Sequence, residues 1–252
     1  MKIARFFADS MVRYGIVEGD DIIELVNGEI PTEQDAVTYL LPEVTLLAPT
    51  APSKVVAVGL NYTDHAKEVG MDLPSDPMLF IKPSTSVIGP DENIIYPVMS
   101  ERVDYEGELA VVISQEAKNL SPDEAEDYIL GYTCLNDVTA RDLQIQDVQF
   151  TREKSFDTFC PIGPWIDTDI DPTNVSIETR VNDKTVQSSH TKHLNWDVFR
   201  LVSFISRVMT LLPGDVIATG TPAGIGPMEP GDRVDVTIAG IGTLSNRVIE
   251  PE

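Results

Sequence analysis

Short apolar runs rich in valine and isoleucine recur along the chain and limit it to a strand-rich fold. They are VVAVG at 55–59, MLFIK at 78–82, ELAVVI at 108–113, VSIETRV at 175–181, DVIATG at 215–220 and RVDVTI at 233–238. Runs this short, bounded by Gly, Pro, Asn or Asp, suit strands better than helices. The first fifty residues read alike, with strands from Lys2 to Phe7, Met11 to Val17 and Ile22 to Val26 around a turn at Gly19-Asp20-Asp21. Val181-Asn182-Asp183-Lys184 has the chemistry of a hairpin turn. Helical signals are few. Ser121-Pro122-Asp123-Glu124 is a capping box with proline at the first helical position, predicting a helix to about Leu130. Val198, Leu201, Val202, Ile205, Val208 and Met209 recur at spacings of three and four, predicting a second helix with one apolar face.

Strands without regular βαβ alternation argue against a Rossmann or TIM design. The expected fold class is α+β, mainly β, with a small N-terminal β module over residues 1–50 and a larger domain over 51–252. Pro42, Pro49 and Pro52 mark the boundary.

Charge narrows the possible partners. The chain carries 41 Asp and Glu against 18 Lys and Arg, a formal net charge of -23. A nucleic-acid partner would require a basic footprint, and an anionic membrane surface would repel such a chain. Scarce lysine within a large acidic excess points to a saline cytoplasm, where salt screens the self-repulsion. Two cysteines, Cys134 and Cys160, make no disulfide framework. The opening MKIARFFADSMVRYG lacks the apolar core of a signal peptide, and no run reaches membrane-spanning length, so a cytoplasmic protein without membrane partners is expected.

The chemistry concentrates in four segments. In DYEGELAVVI, at 104–113, Glu106 and Glu108 leave one face of a strand, because side chains alternate. Two same-face carboxylates repel unless a positive group lies between them, and oxygen ligands favour Mg²⁺ first, then Mn²⁺ or Ca²⁺. Taken alone, the pair also fits a solvated strand end, and Asp104 is read as such a solvated acid. Asp137 follows the apolar GYTCL and is a candidate third ligand. In GLNYTDHAKE, His65 and Glu68 are three apart, so on a helix they share a face. A carboxylate holding one imidazole nitrogen leaves the other as general base, although a surface His–Glu pair has the same spacing. His190 and His193 read as surface or loop residues. Lys82, ending MLFI, and Lys154 in REKSFDTFCPIGP are positive groups placed to bind a carboxylate or stabilise developing charge, or else to form surface ion pairs. The loop TGTPAGIG at 219–226 lacks the P-loop lysine and the dinucleotide spacing, but can turn backbone N–H groups toward a small anion.

In order, GLNYTDHAKE, FIKPSTSVIG, VDYEGELAVVI, GYTCLNDVTARDLQ, KSFDTFCPIGPW and LLPGDVIATGTPAGIG followed by PGD resemble the fumarylacetoacetate hydrolase family over roughly residues 52–250. The resemblance implies a mixed β-sandwich or β-roll catalytic domain, usually a homodimer. It also implies a Mg²⁺ or Mn²⁺ ion on Glu106, Glu108 and Asp137, and a His65–Glu68 base dyad on a mobile lid. Lys154 would polarise the reacting carbonyl, Arg141 and Gln144 would orient substrate, Thr221 would contact the substrate carboxylate, and Lys82 would support the site. The implied substrates are small 2-oxo or 2,4-dioxo acids.

The function expected is metal-dependent hydrolysis of a C–C bond in an acylpyruvate-type acid, with oxaloacetate decarboxylation at the same site. The alternative is an isomerase or decarboxylase of hydroxymuconate-type diacids such as 2-hydroxyhepta-2,4-diene-1,7-dioate, followed by an enzyme of 2-keto-3-deoxy sugar acids. A non-catalytic ion or small-acid binder would have no use for His65 beside Glu68. The charge reading carries its own test. The melting temperature should rise between dilute buffer and molar KCl, and a flat or falling profile would count against the saline setting.

Overall fold

In a computed structural model of the chain, which describes residues 1–32 and 35–251, the apolar runs pair into one large mixed sheet. Its path is Thr38–Leu40, Asp21–Glu24, Met11–Glu18, Lys2–Ala8, Cys160–Asp167, Ile129–Asn136, Gly107–Ile113, Val216–Ala218, Lys54–Gly59 and Met78–Pro83. The N-terminal strands continue this sheet through antiparallel pairing of Lys2 with Asp167 and Ile3 with Ile166. A five-stranded sheet runs Lys184–His190, Ser176–Val181, Arg233–Ile238, Gly242–Ile249 and Asn93–Ile95. With 43% strand and 17% helix, the molecule has the α+β, mainly β character expected. Among the described residues, no helix is long and apolar enough to cross a membrane.

The strand Gly107–Ile113 is buried along its whole length and lies between two cores. Leu109, Val111 and Ile113 pack with Ile177, Val236 and Leu244 of the second sheet and with Leu201, Val202 and Ile205 of the helix Val198–Val208. Ala110 and Val112 face the other way, toward Val55, Ala57, Leu135, Ile162 and Ala218. Burial on both faces explains why the sequence here is continuously apolar rather than alternating. The helix is capped by Asp197, whose carboxylate accepts the Arg200 N–H at 2.9 Å.

The segment predicted as a helix after Ser121 forms, but as a 3₁₀ helix over Pro122–Tyr128. Its capping box is in place, with the Ser121 N–H and hydroxyl both reaching Glu124 Oε2, at 2.8 and 2.7 Å. Strand Ile129–Asn136 begins at once, and the tighter winding spans more length per residue, about 2.0 Å against about 1.5 Å. The hairpin turn is found at Asn182 and Asp183, with φ of 49° and 66°, the left-handed pair that a two-residue connection requires.

Two parallel strands bring distant motifs together. Val216–Ala218 pairs with Lys54–Gly59 from Val216↔Val55 to Ala218↔Ala57, so the segments after Gly59 and after Ala218 leave the sheet at the same end. At the opposite end Asp215, fully buried, staples both starts. It accepts the Ser53 N–H (3.0 Å), the Ser53 hydroxyl (2.6 Å) and the Leu212 N–H (2.8 Å), and pairs with the Lys54 ammonium. Burial pushes this carboxyl up, but the hydrogen bonds from Lys54 and Ser53 outweigh it and hold it below the usual carboxylate range. A depressed folded-state pKa gives stability that is present above the ordinary carboxylate pKa and is lost as pH falls through the folded value. Asp215→Asn should therefore cost about 2 kcal/mol at neutral pH, read from the urea midpoint, and the deficit should shrink toward about pH 3. An equal deficit at both pH values would show that the charge is not what this residue contributes.

Candidate active site

The acids converge through strand register. Gly107–Ile113 pairs antiparallel with Ile129–Asn136, beginning at Gly107↔Asn136. One step beyond, the Asp137 N–H donates to the Glu106 carbonyl at 2.8 Å, and the Glu106 N–H donates to Asn136 Oδ1 at 2.9 Å. Register thus sets Asp137 against Glu106, while alternation puts Glu108 on the face of Glu106. Carboxylate oxygens from all three, each residue buried, lie within 4.8 Å of one another. Gly107 has to be glycine, because a Cβ there would lie 2.1 Å from Thr179 Oγ1. Its N–H donates to Gln187 Oε1 at 2.9 Å, tying the second sheet to the acid cluster.

Three cations surround the cluster unevenly. The Lys154 ammonium donates to Glu106 Oε2 at 2.8 Å and to Asp137 Oδ2 at 2.7 Å. Lys82, fully buried, pairs with Asp137 and donates to the Val138 carbonyl at 3.1 Å. Arg141 pairs with Glu106, donates from Nε to Asp104 Oδ2 at 2.9 Å, and donates from Nη1 to Gln144 Oε1 at 2.6 Å. For Glu106, burial is outweighed by Lys154 first and then by Arg141, and its carboxyl is held below the usual range. Glu108 accepts one backbone N–H, from Gly220 at 2.7 Å, and among the described residues pairs with no cation. Burial, then the charges of Asp137 and Glu106, push its carboxyl well above the usual range. Burial lowers the Lys154 ammonium, but Asp137 and Glu106 outweigh it and keep the group charged.

This donor set fits a small hard cation. Ligand oxygens of one such ion at about 2.0–2.6 Å lie no more than about 4–5 Å apart, and the three acids meet that limit. Glu108 has the environment of a carboxylate that lacks a positive partner, which a divalent ion would supply.

Opposite the acids, helix Thr63–Glu68 carries His65, with Nδ1 at 3.1 Å from Glu68 Oε2. Glu68 Oε1 in turn accepts the Gly224 N–H at 2.9 Å, docking the helix on the glycine-rich loop. Asn61 anchors the helix start, donating to the carbonyls of Trp196 (3.0 Å) and Thr219 (2.8 Å) and accepting the Trp196 N–H at 2.8 Å. A cavity of about 340 Å³ lies between, and its walls include His65, Glu106, Glu108, Asp137, Arg141, Gln144, Lys154 and Thr221. Of the other candidates, Lys82 stands behind Asp137 and Glu68 contacts His65. The Thr221 hydroxyl donates to the Gly107 carbonyl at 3.0 Å and accepts from Gln187 Nε2 at 2.8 Å. His193 is exposed, as read from the sequence, whereas His190 is half-buried at the end of strand Lys184–His190.

Comparison with known proteins places the chain in a family. The family model for the fumarylacetoacetate (FAA) hydrolase C-terminal region covers residues 54–249. The chain belongs to the fumarylacetoacetate hydrolase family. A second model, Rv2993c-like, N-terminal, covers residues 1–49. The chain is similar to oxaloacetate tautomerase Fahd2a, mitochondrial, of Rattus norvegicus, at 42% identity over 82% of this chain and 70% of the relative. It superposes on 5-carboxymethyl-2-hydroxymuconate delta-isomerase from Mycobacterium smegmatis with a TM-score of 0.92, at 46% identity over 100% of both chains. It also superposes on maleylpyruvate hydrolase from Sphingobium sp. SYK-6, solved in complex with manganese (II) and pyruvate, with a TM-score of 0.84 and 30% identity over 100% of both chains. Within the family this fold thus hosts isomerases, hydrolases and tautomerases.

Asp104 departs from the sequence reading. It is fully buried, gripped by Arg102 Nε (2.8 Å) and Nη2 (3.0 Å) and by Arg141 Nε, and so steadies the arginine that pairs with Glu106. Its even spacing with Glu106 and Glu108, two residues after Arg102, was the available signal. Gln187 and Asn61 were not legible, because each acts through backbone groups far away in sequence. Glu108→Gln replaces a buried carboxyl, whose ionisation burial and the neighbouring acids oppose, with a neutral amide. The metal-free variant should melt at least as high as the parent. The rise that excess Mn²⁺ gives the parent, about 2.7 kcal/mol at a hundredfold excess over Kd, or several degrees for a chain this long, should be lost. A Mn²⁺-induced rise equal to the parent's would exclude Glu108 as a ligand.

Proposed function

We propose that the chain is a divalent-metal-dependent hydrolase that cleaves a C–C bond in 2,4-dioxo acids of the acylpyruvate or fumarylacetoacetate type, and that the same site decarboxylates oxaloacetate. One observation carries this reading: three buried carboxylates within reach of one ion face a His–Glu dyad across a cavity sized for a small acid. Glu106, Glu108 and Asp137 would hold Mg²⁺ or Mn²⁺, with Ca²⁺ as an in vitro substitute. The bound ion supplies Lewis-acid stabilisation of negative charge on the substrate's 2-oxo oxygen. The manganese and pyruvate in the Sphingobium relative support both the ion and the acid.

The remaining roles follow from the chain's own groups. With Nδ1 held by Glu68, His65 keeps Nε2 for the substrate. In hydrolysis it takes a proton from the water that adds to the distal carbonyl. The C–C bond then breaks to a carboxylic acid and pyruvate, and the proton moves to the carbon released. Lys154, kept charged among the acids, polarises the reacting carbonyl, and Lys82 holds Asp137 from behind. Arg141, Gln144 and Thr221 orient the substrate, with backbone groups of the 219–226 loop beside its carboxylate. Glu68 on Gly224 latches the His65 helix over the cavity and keeps bulk water, beyond the one molecule that reacts, away from the site. The proposal keeps the homodimeric, cytoplasmic setting and the division at residue 50 expected from the sequence.

A second reading has support of its own. Similarity to the hydroxymuconate isomerase and to the oxaloacetate tautomerase favours a proton shift in a 2-oxo diacid, for which His65 would carry the proton and no water would add. A panel with Mg²⁺ separates the two: acetylpyruvate, fumarylpyruvate, oxaloacetate and a hydroxymuconate diacid, with products resolved. Cleavage of the dioxo acids is expected, and proton exchange without cleavage would favour the second reading. His65→Ala should lower turnover by about 10²–10⁴-fold while Mn²⁺ still binds. Undiminished acetylpyruvate cleavage by that variant would remove His65 from the chemistry.

A further inference from the structure

A second cavity adjoins the first. It is an open groove of about 630 Å³, walled by Met78, Leu79, Ile81 and the exposed Val148, with Gln149, Thr151 and Ser155 among them. Phe80 and Phe150 line both cavities, so these two rings are shared wall. They meet edge to face, with centroids 5.5 Å apart and planes at 84°. The Lys154 ammonium lies 5.1 Å from the Phe80 ring centre, so the group that bridges Glu106 and Asp137 also holds this side of the wall. Phe150 packs beside Gly59, where an added Cβ would sit 3.7 Å from its ring.

Charge is distributed sharply across this wall. No residue lining the outer cavity carries a charge. Nearby Asp147 and Arg152 pair with each other at 2.7 Å. In the inner cavity the two permanent cations, Arg141 and Lys154, both engage carboxylates of the acid cluster. A second carboxylate at the far end of a substrate would therefore find no cation there, only the uncharged polar groups of Gln149, Thr151 and Ser155.

We propose that Phe80 and Phe150 divide a two-chamber substrate site, with the 2-oxo acid end at the carboxylate cluster and an uncharged acyl tail passing the rings into the outer cavity. This rests on the 2,4-dioxo acid reading and narrows it to monoacids with apolar tails. The rings set which tail lengths pass, and the outer cavity rewards the methylenes that reach it.

The test measures kcat/KM with Mg²⁺ for acetyl-, butanoyl- and hexanoylpyruvate and for fumarylpyruvate, whose charged acyl group matches butanoyl in carbon count. For the parent, kcat/KM should rise by about fourfold per methylene that reaches the outer cavity, and fumarylpyruvate should be at least about tenfold poorer than butanoylpyruvate. The hexanoyl-to-acetyl ratio should fall by about tenfold or more in Phe150→Trp, which narrows the passage, and in Ile81→Asp, which charges the outer wall. Using two walls keeps the test decisive where one variant fails to fold. A ratio unchanged in the folded variants, or a parent that prefers fumarylpyruvate, overturns the two-chamber site while leaving the hydrolase reading intact. A parent that cleaves none of the four acids overturns the hydrolase reading and this proposal with it.

Discussion

The arrangement depends on one electrostatic constraint: three carboxylates are held inside the protein close enough to share an ion. Such a group repels itself, and burial strengthens the repulsion because no water screens it. The chain answers with an unequal distribution of cations. Glu106 and Asp137 each receive lysine or arginine partners, whereas Glu108 faces them with one backbone N–H. The asymmetry leaves a demand for positive charge at a defined place, and the surrounding features are organised about it. Asp104 and Arg102 steady Arg141, Lys82 closes the back of Asp137, and Gln187 fixes the backbone at Gly107.

The sheet meets that constraint with rigid elements. Acids on adjacent paired strands are held to the precision of strand register, which loops cannot match. The His65–Glu68 pair sits instead on a six-residue helix fastened by Asn61 at one end and by Glu68 on Gly224 at the other. So short a helix has little stability of its own, and its place is set by those side-chain bonds. The rigid acid cluster and the separately fastened helix thus face each other across the cavity.

Much of this is legible in the amino-acid sequence. The Val- and Ile-rich runs required strands, Asn182-Asp183 required a hairpin, and the same-face spacing of Glu106 and Glu108 is a direct consequence of pleating. The spacing of His65 and Glu68 likewise predicted a contact that the helix then makes. Asp104 was misread because a strand end looks solvated in sequence, whereas Arg141, thirty-seven residues away, closes over it. The segment after Ser121 carried correct capping chemistry but not its winding, since the start of the next strand decided that.

What the sequence determined by itself was local and periodic: which residues form strands, which acids share a face, and which histidine has a carboxylate at helical spacing. What only the tertiary structure decided was convergence. Asp137 meets Glu106 because two strands pair in one register out of several, and Gly224 meets the His65 helix because two strands run parallel. The Phe80–Phe150 wall joins residues from a strand and a distant loop. Period and propensity act over a few residues along the chain. Contacts across a sheet depend on which strands become neighbours, and that is settled by burying the whole core at once.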